Sequence, residues 1–204
     1  MDYKKGCAAV ANKFKEQGIQ KIGVLKVNLE FGELCLQGVK EIYAQNTFVE
    51  GYNLGDTDFR TQILKLNTAK GGAIINVGFE GDTYNTLKAI HDFKYKILYG
   101  TVDDTVTNKI KNQFGNELKG AWSFGFKSVD KSFSSQLSNK KLSTEYGAAI
   151  AYTHIKQIAK ALRSCSSDLV CAARSMDNSP PDNTIGFIDF KNHIADLETS
   201  LKNY

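Results

Sequence analysis

The residues able to do chemistry in this chain are carboxylates, aromatics and cysteines. Asp103 and Asp104 are the only acidic pair that follows a predicted strand. Two neighbouring carboxylates can act as a base or bind a metal, but two acids alone are a thin ligand set. The plainer reading makes one of them the cap of a helix that begins near Thr105. There are three histidines, His91, His154 and His193. The first two fall in predicted helices and the third in a terminal turn, so each reads as a surface or helix-end residue rather than a catalytic base. No Gly-x-Ser-x-Gly nucleophile turn occurs. The segments after the first and third predicted strands, Val27 to Gly32 and Gly78 to Gly81, lack the glycines of a phosphate loop.

None of the four cysteines forms a Cys-x-x-Cys pair or lies near a histidine at metal spacing. Cys7 and Cys35 each fall on the apolar stripe of a predicted helix and read as small buried hydrophobes. Cys165 and Cys171 bracket the short link Ser166 to Val170. They can close a small loop as a disulfide, which would place the chain in an oxidising compartment.

The elements that must position these groups follow from periodicity. Tyr3 to Gln17 is a predicted helix, with Cys7, Val10, Ala11 and Phe14 on one face and Gly18 closing it. Strands are predicted at Lys21 to Val27, Thr47 to Leu54, Ala73 to Val77, Lys96 to Tyr99 and Leu118 to Phe126. Helices intervene at Phe31 to Gln45, Asp58 to Ala69 (capped by Asp56 or Thr57) and Asp82 to Phe93. This alternation predicts a mainly parallel, doubly wound sheet with helices on both faces, a three-layer αβα sandwich. After residue 126 the alternation stops. A short helix at Val129 to Leu137, a long one at Thr144 to Arg163 and another at Asp168 to Arg174 lead to a loop at Asp177 to Asn183. Two strands, Ile185 to Phe190 and Leu197 to Tyr204, with Lys191-Asn192 as a turn, make the tail an additional helical and hairpin layer.

Composition excludes several classes. The 204 residues carry 26 Lys+Arg and 22 Asp+Glu, a net charge of +4 with the lysines scattered, which does not suit nucleic acid. The longest apolar run, Gly72 to Val77, is far short of the ~18 residues of a membrane span. Met1 to Lys15 is polar and helical in pattern, with no apolar signal core.

In open α/β sheets, ligands bind at the carboxyl ends of the strands. That edge offers Asn28 to Gly32 after strand one, Gly78, Phe79 and Glu80 after strand three, and Tyr99, Asp103 and Asp104 after strand four. Aromatics and carboxylates with little positive charge suit a small ligand that carries an ammonium and an apolar or flat portion. They do not suit a phosphorylated one.

Read in order, the segments GIQKIGVLKV (18–27), EFGELCLQGVKE (30–41), GDTDFRTQILKL (55–66), AIINVGFEGDTYNTLKAI (73–90), ILYGTVDD (97–104), GNELKGAW (115–122), EYGAAIAYTHIKQIAKAL (145–162) and IGFIDFKN (185–192) resemble the type I periplasmic solute-binding proteins of the leucine/isoleucine/valine-binding kind. The resemblance runs over nearly the whole chain. It implies that residues 1–127 are the second lobe and 128–204 a remnant of the first lobe plus returning strands. The opening half of the first lobe has no counterpart here. It further implies a non-enzymatic, extracytoplasmic receptor without a cofactor, which closes about a hinge on an amino-acid-like ligand and delivers it to an ABC permease. By the same resemblance Phe31 and Phe79 line the ligand, Glu80 stands beside them, and Asp103, or Asp104, pairs with its ammonium. An incomplete lobe would leave the stripe Ala148, Ala151, Ile155 and Ile158 without its sheet, so a homodimer or a rearranged tail is expected. The alternatives are a stand-alone ligand-sensing domain of the same fold, or a flavodoxin-like enzyme using Asp103 or Asp104.

Overall fold

The computed structural model describes residues 2–69, 71–126, 133, 135, 145–178, 188–191, 194–197 and 199–204. The chain divides into two compact units, residues Met1–Gly125 with Leu201–Tyr204, and residues Phe126–Ser200.

The first unit is built on a six-stranded sheet of order β2-β1-β3-β4-β5-β8. Its strands are β1 (Ile22–Val27), β2 (Thr47–Tyr52), β3 (Ala73–Val77), β4 (Leu98–Val102), β5 (Trp122–Phe126) and β8 (Thr199–Asn203). The pairings of β1 with β2 and β3, of β3 with β4, and of β4 with β5 are all parallel. β1 and β3 are buried along their whole length, as strands covered on both faces must be. α1 (Tyr3–Glu16) and α2 (Glu30–Tyr43) supply one face. Cys7, Val10, Phe14, Cys35 and Val39 pack there on Ile22, Val24, Ile75 and Val77. α3 (Arg60–Thr68), α4 (Glu80–Asp92) and α5 (Asn108–Gln113) supply the other. Ile63, Leu66, Leu87, Ile90 and Ile110 meet Leu25, Val27, Ile74 and Tyr99 on that side. The three-layer sandwich is therefore present.

Local signals explain the helix ends. The Asp2 carboxylate accepts the Lys5 N–H at 2.9 Å and caps α1, and Gly18, at φ +83°, turns the chain out of it. The cap expected of Asp56 or Thr57 does not form: α3 starts behind Phe59, with no side-chain bond to its N-cap position. Asp56 closes a loop by accepting the Asn53 N–H at 2.8 Å. Asp58 instead takes the Arg60 N–H at 3.1 Å and chelates its guanidinium, which holds the Asp58 carboxyl down at about 2.

Four expectations are corrected. β4 begins and ends later than the predicted 96–99, so Tyr99 is not at the rim. It is fully buried, and its hydroxyl donates to Asn76 Oδ1 at 3.2 Å. Neither Asp103 nor Asp104 caps a helix at Thr105, because α5 starts only at Asn108. The Thr105 hydroxyl is instead buried between those of Thr83 and Thr101, at 2.9 and 3.1 Å. Cys7 and Cys35 are buried but are not free thiols. They form a disulfide between α1 and α2, with their Cα atoms 5.2 Å apart. The tail, finally, is not wholly a separate layer. β8 joins the main sheet, where Gly120 N–H donates to Tyr204 O at 2.8 Å and Tyr204 N–H to Ala121 O at 3.0 Å.

In the second unit, α6 (Glu145–Ser164) and α7 (Leu169–Asp177) are linked by a turn that the Cys165–Cys171 disulfide closes. The Asp168 carboxylate caps α7 by accepting the Cys171 N–H at 2.8 Å. β6 (Ile188–Lys191) and β7 (Ile194–Leu197) pair antiparallel. The predicted first strand coincides with β6 over 188–190 and the predicted second with β8, while β7, which pairs with β6, was not expected. The face of α6 differs from the one periodicity suggests. Thr153, Gln157 and Ala161 are buried, whereas Tyr152, Ile155 and Ile158 are exposed. Among the described residues Thr153 Oγ1 and Gln157 Oε1 have no hydrogen-bond partner, an arrangement that costs stability at each group. Most of the helix expected at 129–137 and most of the loop expected at 177–183 lie outside the described residues.

Candidate functional site

The strand order reverses between β1 and β3, because β2 lies outside β1 while β4 and β5 follow β3. The chain leaves β1 toward one face and β3 toward the other, and opens a crevice at their carboxyl ends. Phe31 enters that crevice from the start of α2. Its half-buried ring touches both faces of the core. Phe79 enters from the loop after β3 and is 51% exposed. The two rings meet edge to face with centroids 5.7 Å apart.

A third ring completes the wall. Tyr3, the first residue of α1, lies 4.9 Å from Phe31 between ring centroids, and its hydroxyl donates to Asp103 Oδ2 at 3.2 Å. Asp103 stands at the end of β4 in the left-handed region, φ 70°, which aspartate tolerates better than most residues. Its Oδ1 accepts the Asp104 N–H at 2.9 Å. Both carboxylate oxygens are thereby oriented by neutral donors, and each retains a lone pair.

Of the residues singled out from sequence, Phe31, Phe79 and Asp103 come together, with Tyr3 joining them. Glu80 and Asp104 do not. The Glu80 carboxylate accepts the Thr107 hydroxyl at 3.0 Å and faces a cavity of about 340 Å³ lined by Tyr84, Asn85, Lys109 and Ile110. Asp104 is ion-paired with Lys202 of β8. The two aspartates therefore turn to different partners and do not form a shared acid–base or metal pair. Among the described residues, no group of three or more His, Cys, Asp or Glu side chains could hold a metal.

Sequence reasoning missed Tyr3, Lys26 and Lys202. Tyr3 was within reach of a topological argument. A 14-residue helix of ~21 Å that feeds the start of β1 must itself begin at the opposite, carboxyl edge. Lys26 is nearly buried on β1 and pairs with Glu33 at 2.5 Å, so the edge is less devoid of positive charge than its loops suggest. No local signal points to Lys202, which reaches Asp104 from 98 residues away.

Burial, and after it the Asp103 carboxylate, push the Tyr3 phenol up from 10.0 to about 12. An unfolded tyrosine ionises near pH ~10. Between those values the folded chain binds more protons than the unfolded one, so stability falls as pH rises through them and is unaffected by this group below them. Burial shifts Tyr43 the same way, to about 12. The urea midpoint is expected to decline above pH ~10, and Tyr3→Phe should make that decline shallower. An equal slope in the variant would remove Tyr3 from the groups responsible.

The fold is that of the type I periplasmic binding proteins. A leucine-binding protein of Thermotoga maritima matches with a TM-score of 0.82 at 14% identity, over 100% of this chain and 63% of its own. A type 1 periplasmic binding protein of Bordetella pertussis gives 0.75 at 11% identity, over 98% and 62%. An ABC-transporter solute-binding protein of R. palustris, in complex with 4-hydroxybenzoate, gives 0.83 at 15% identity, over 98% and 60%. The chain thus spans between 60% and 63% of the length of these structures. No family model and no curated protein matches the sequence.

Proposed function

We propose that this chain belongs to the substrate-capturing receptor of an ABC-type importer and is not an enzyme. In this reading residues 1–127 form its second lobe and 128–204 the remnant of its first, with the returning strands. The ligand is a small, amino-acid-like molecule with an ammonium and an apolar portion, and the partner is a membrane permease. The observation that carries the reading is the meeting of Phe31, Phe79, Tyr3 and Asp103 at the topological switch point, where doubly wound folds bind ligands. It is supported by neighbours described as a leucine-binding protein and as a solute-binding protein with a bound hydroxybenzoate. Two disulfides suit an oxidising, extracytoplasmic location. The exposed stripe Tyr152, Ile155 and Ile158 is the face on which two copies would associate.

The test is titration of the chain with neutral amino acids, followed by amide chemical shifts, on the parent and on Asp103→Asn. Asparagine keeps the left-handed backbone of this position, which alanine would strain. A hydrogen bond to a charged group contributes ~1.5–3 kcal/mol, so affinity should fall ten- to more than a hundredfold, at ~1.4 kcal/mol per decade. Phe31→Ala should cost less, since it removes only part of an apolar wall. Equal binding by parent and Asp103→Asn would dismiss the ammonium site.

A further inference from the structure

The opposite, amino edge of the sheet is basic. Lysines scattered along the sequence are gathered there by the fold. Lys21 precedes β1, Lys94 and Lys96 precede β4, and Lys119 precedes β5. Main-chain bonds bring them into line: the Gly72 N–H donates to Lys21 O at 3.0 Å, and the Leu98 N–H to Gly72 O at 3.1 Å. The register of Gly100 opposite Trp122, carried back three residues, sets Lys119 level with Ile97 and beside Lys96. The line crosses three strand spacings, about 14 Å. All four lysines are exposed. Lys21 lies over the Phe48 ring, and among the described residues none of the four is ion-paired. The acids closest in sequence to this edge are already engaged, Glu16 by Lys13, Asp92 by Lys88 and Glu117 by His91.

Two rings stand among these lysines. Lys94, in the left-handed region at φ 55°, ends α4. Its N–H donates to His91 O at 3.0 Å, and the Tyr95 N–H to Ile90 O at 3.1 Å. Phe93 and Tyr95 stack beside it with ring centroids 5.2 Å apart, and Phe93 is 38% exposed. Aromatic rings settle at the boundary of a bilayer, where lysines meet anionic headgroups. A soluble polyanion would match the lysines but leave the Phe93 ring in water. We infer that the amino edge of this unit is a docking surface for an anionic lipid bilayer. Phe93 enters the headgroup layer, and Lys21, Lys94, Lys96 and Lys119 face its phosphates. This surface is independent of the crevice. The crevice acids, Asp103 among them, lie a five-residue strand away, about 17 Å. That is twice the ~8 Å screening length at physiological ionic strength, so they do not cancel the attraction. A molecule docked in this way turns its crevice to solvent.

The experiment sediments the 204-residue chain with vesicles of phosphatidylcholine alone, or mixed equally with phosphatidylglycerol, at physiological ionic strength. Binding is expected to the mixed vesicles and not to the neutral ones. A lysine at an anionic surface contributes about a fivefold factor. Lys94→Gln with Lys96→Gln should therefore lower partitioning at least tenfold. Lys5→Gln with Lys109→Gln removes the same charge from exposed sites elsewhere and should stay within twofold of the parent. Phe93→Ser should weaken binding severalfold at unchanged charge, with a thermal midpoint near that of the parent. Absence of binding to the mixed vesicles overturns the inference. So does an equal loss from the two lysine pairs, which would reduce the effect to net charge. Soluble polyglutamate is the rival probe. If it displaces the chain from vesicles and Phe93→Ser changes nothing, the surface fits an acidic polymer and the lipid assignment falls.

Discussion

Gly38→Ala should cost at least about 3 kcal/mol of stability, although alanine is the better helix former by ~1 kcal/mol. A Cβ at Gly38 would lie 2.0 Å from the carbonyl oxygen of Lys4 and 3.2 Å from the Ala8 nitrogen, both backbone atoms of α1. No rotamer change relieves that, so α1 and α2 must separate by roughly 1 Å and loosen the packing of Val10, Ala11, Leu36 and Val39 between them. At ~2–4 °C per kcal/mol for a chain of this size, the thermal midpoint should drop by about 6–12 °C. Gly81→Ala is the control. It also lies in a helix, but nothing is within 4 Å of its Cβ position, so it should raise stability by up to ~1 kcal/mol. Calorimetric melting of both variants checks the pair. A Gly38→Ala protein as stable as the parent would mean that the two helix backbones are not in contact.

The second large effect follows from the same contact. Replacing Cys7 and Cys35 together by alanine should destabilise the chain by about 3.5 kcal/mol, from the loop-entropy relation for a closed loop of this length. Both residues are wholly buried, so a thiol reductant reaches this bond only through opening of the α1–α2 pair. Cys171, by contrast, is exposed and Cys165 half-exposed. Under native conditions dithiothreitol should free Cys165 and Cys171 first, and Cys7 and Cys35 only at the rate of large-scale unfolding. Alkylation followed by peptide mass mapping resolves the order. Simultaneous labelling of all four thiols would show that the helix pair opens locally.

How much of this was legible beforehand differs by element. The helix stripes of α1 and α2 and the continuous apolar run of β3 name their own buried faces, because a 3.6-residue period or an unbroken apolar strand has one low-energy way to meet a core. The placement of Phe31, Phe79 and Asp103 at one edge also followed from sequence, since alternating strands and helices bring every βα loop to the carboxyl side of the sheet. The end of β4 was misjudged because Gly100 and Thr101 resemble a turn. Gly100 is needed inside the strand, where a Cβ would sit 2.7 Å from Val10 and 2.8 Å from the Phe14 ring. On α6 the periodic stripe pointed the wrong way, with Ile155 66% exposed while Thr153 is buried.

By itself, the sequence determined the layered α/β class, the helix and strand order to residue 126, and which faces are apolar. Those are properties of a residue and its near neighbours, and local periodicity encodes them. Only the tertiary structure decided that Cys7 and Cys35 face each other, that Tyr3 orients Asp103, that Lys202 neutralises Asp104, and that Glu80 turns away to Thr107. Each of these depends on which two distant segments touch. Such a contact is set by backbone approach at single points, such as Gly38 on Lys4, and by the order in which strands are laid into the sheet, neither of which leaves a periodic mark in the chain.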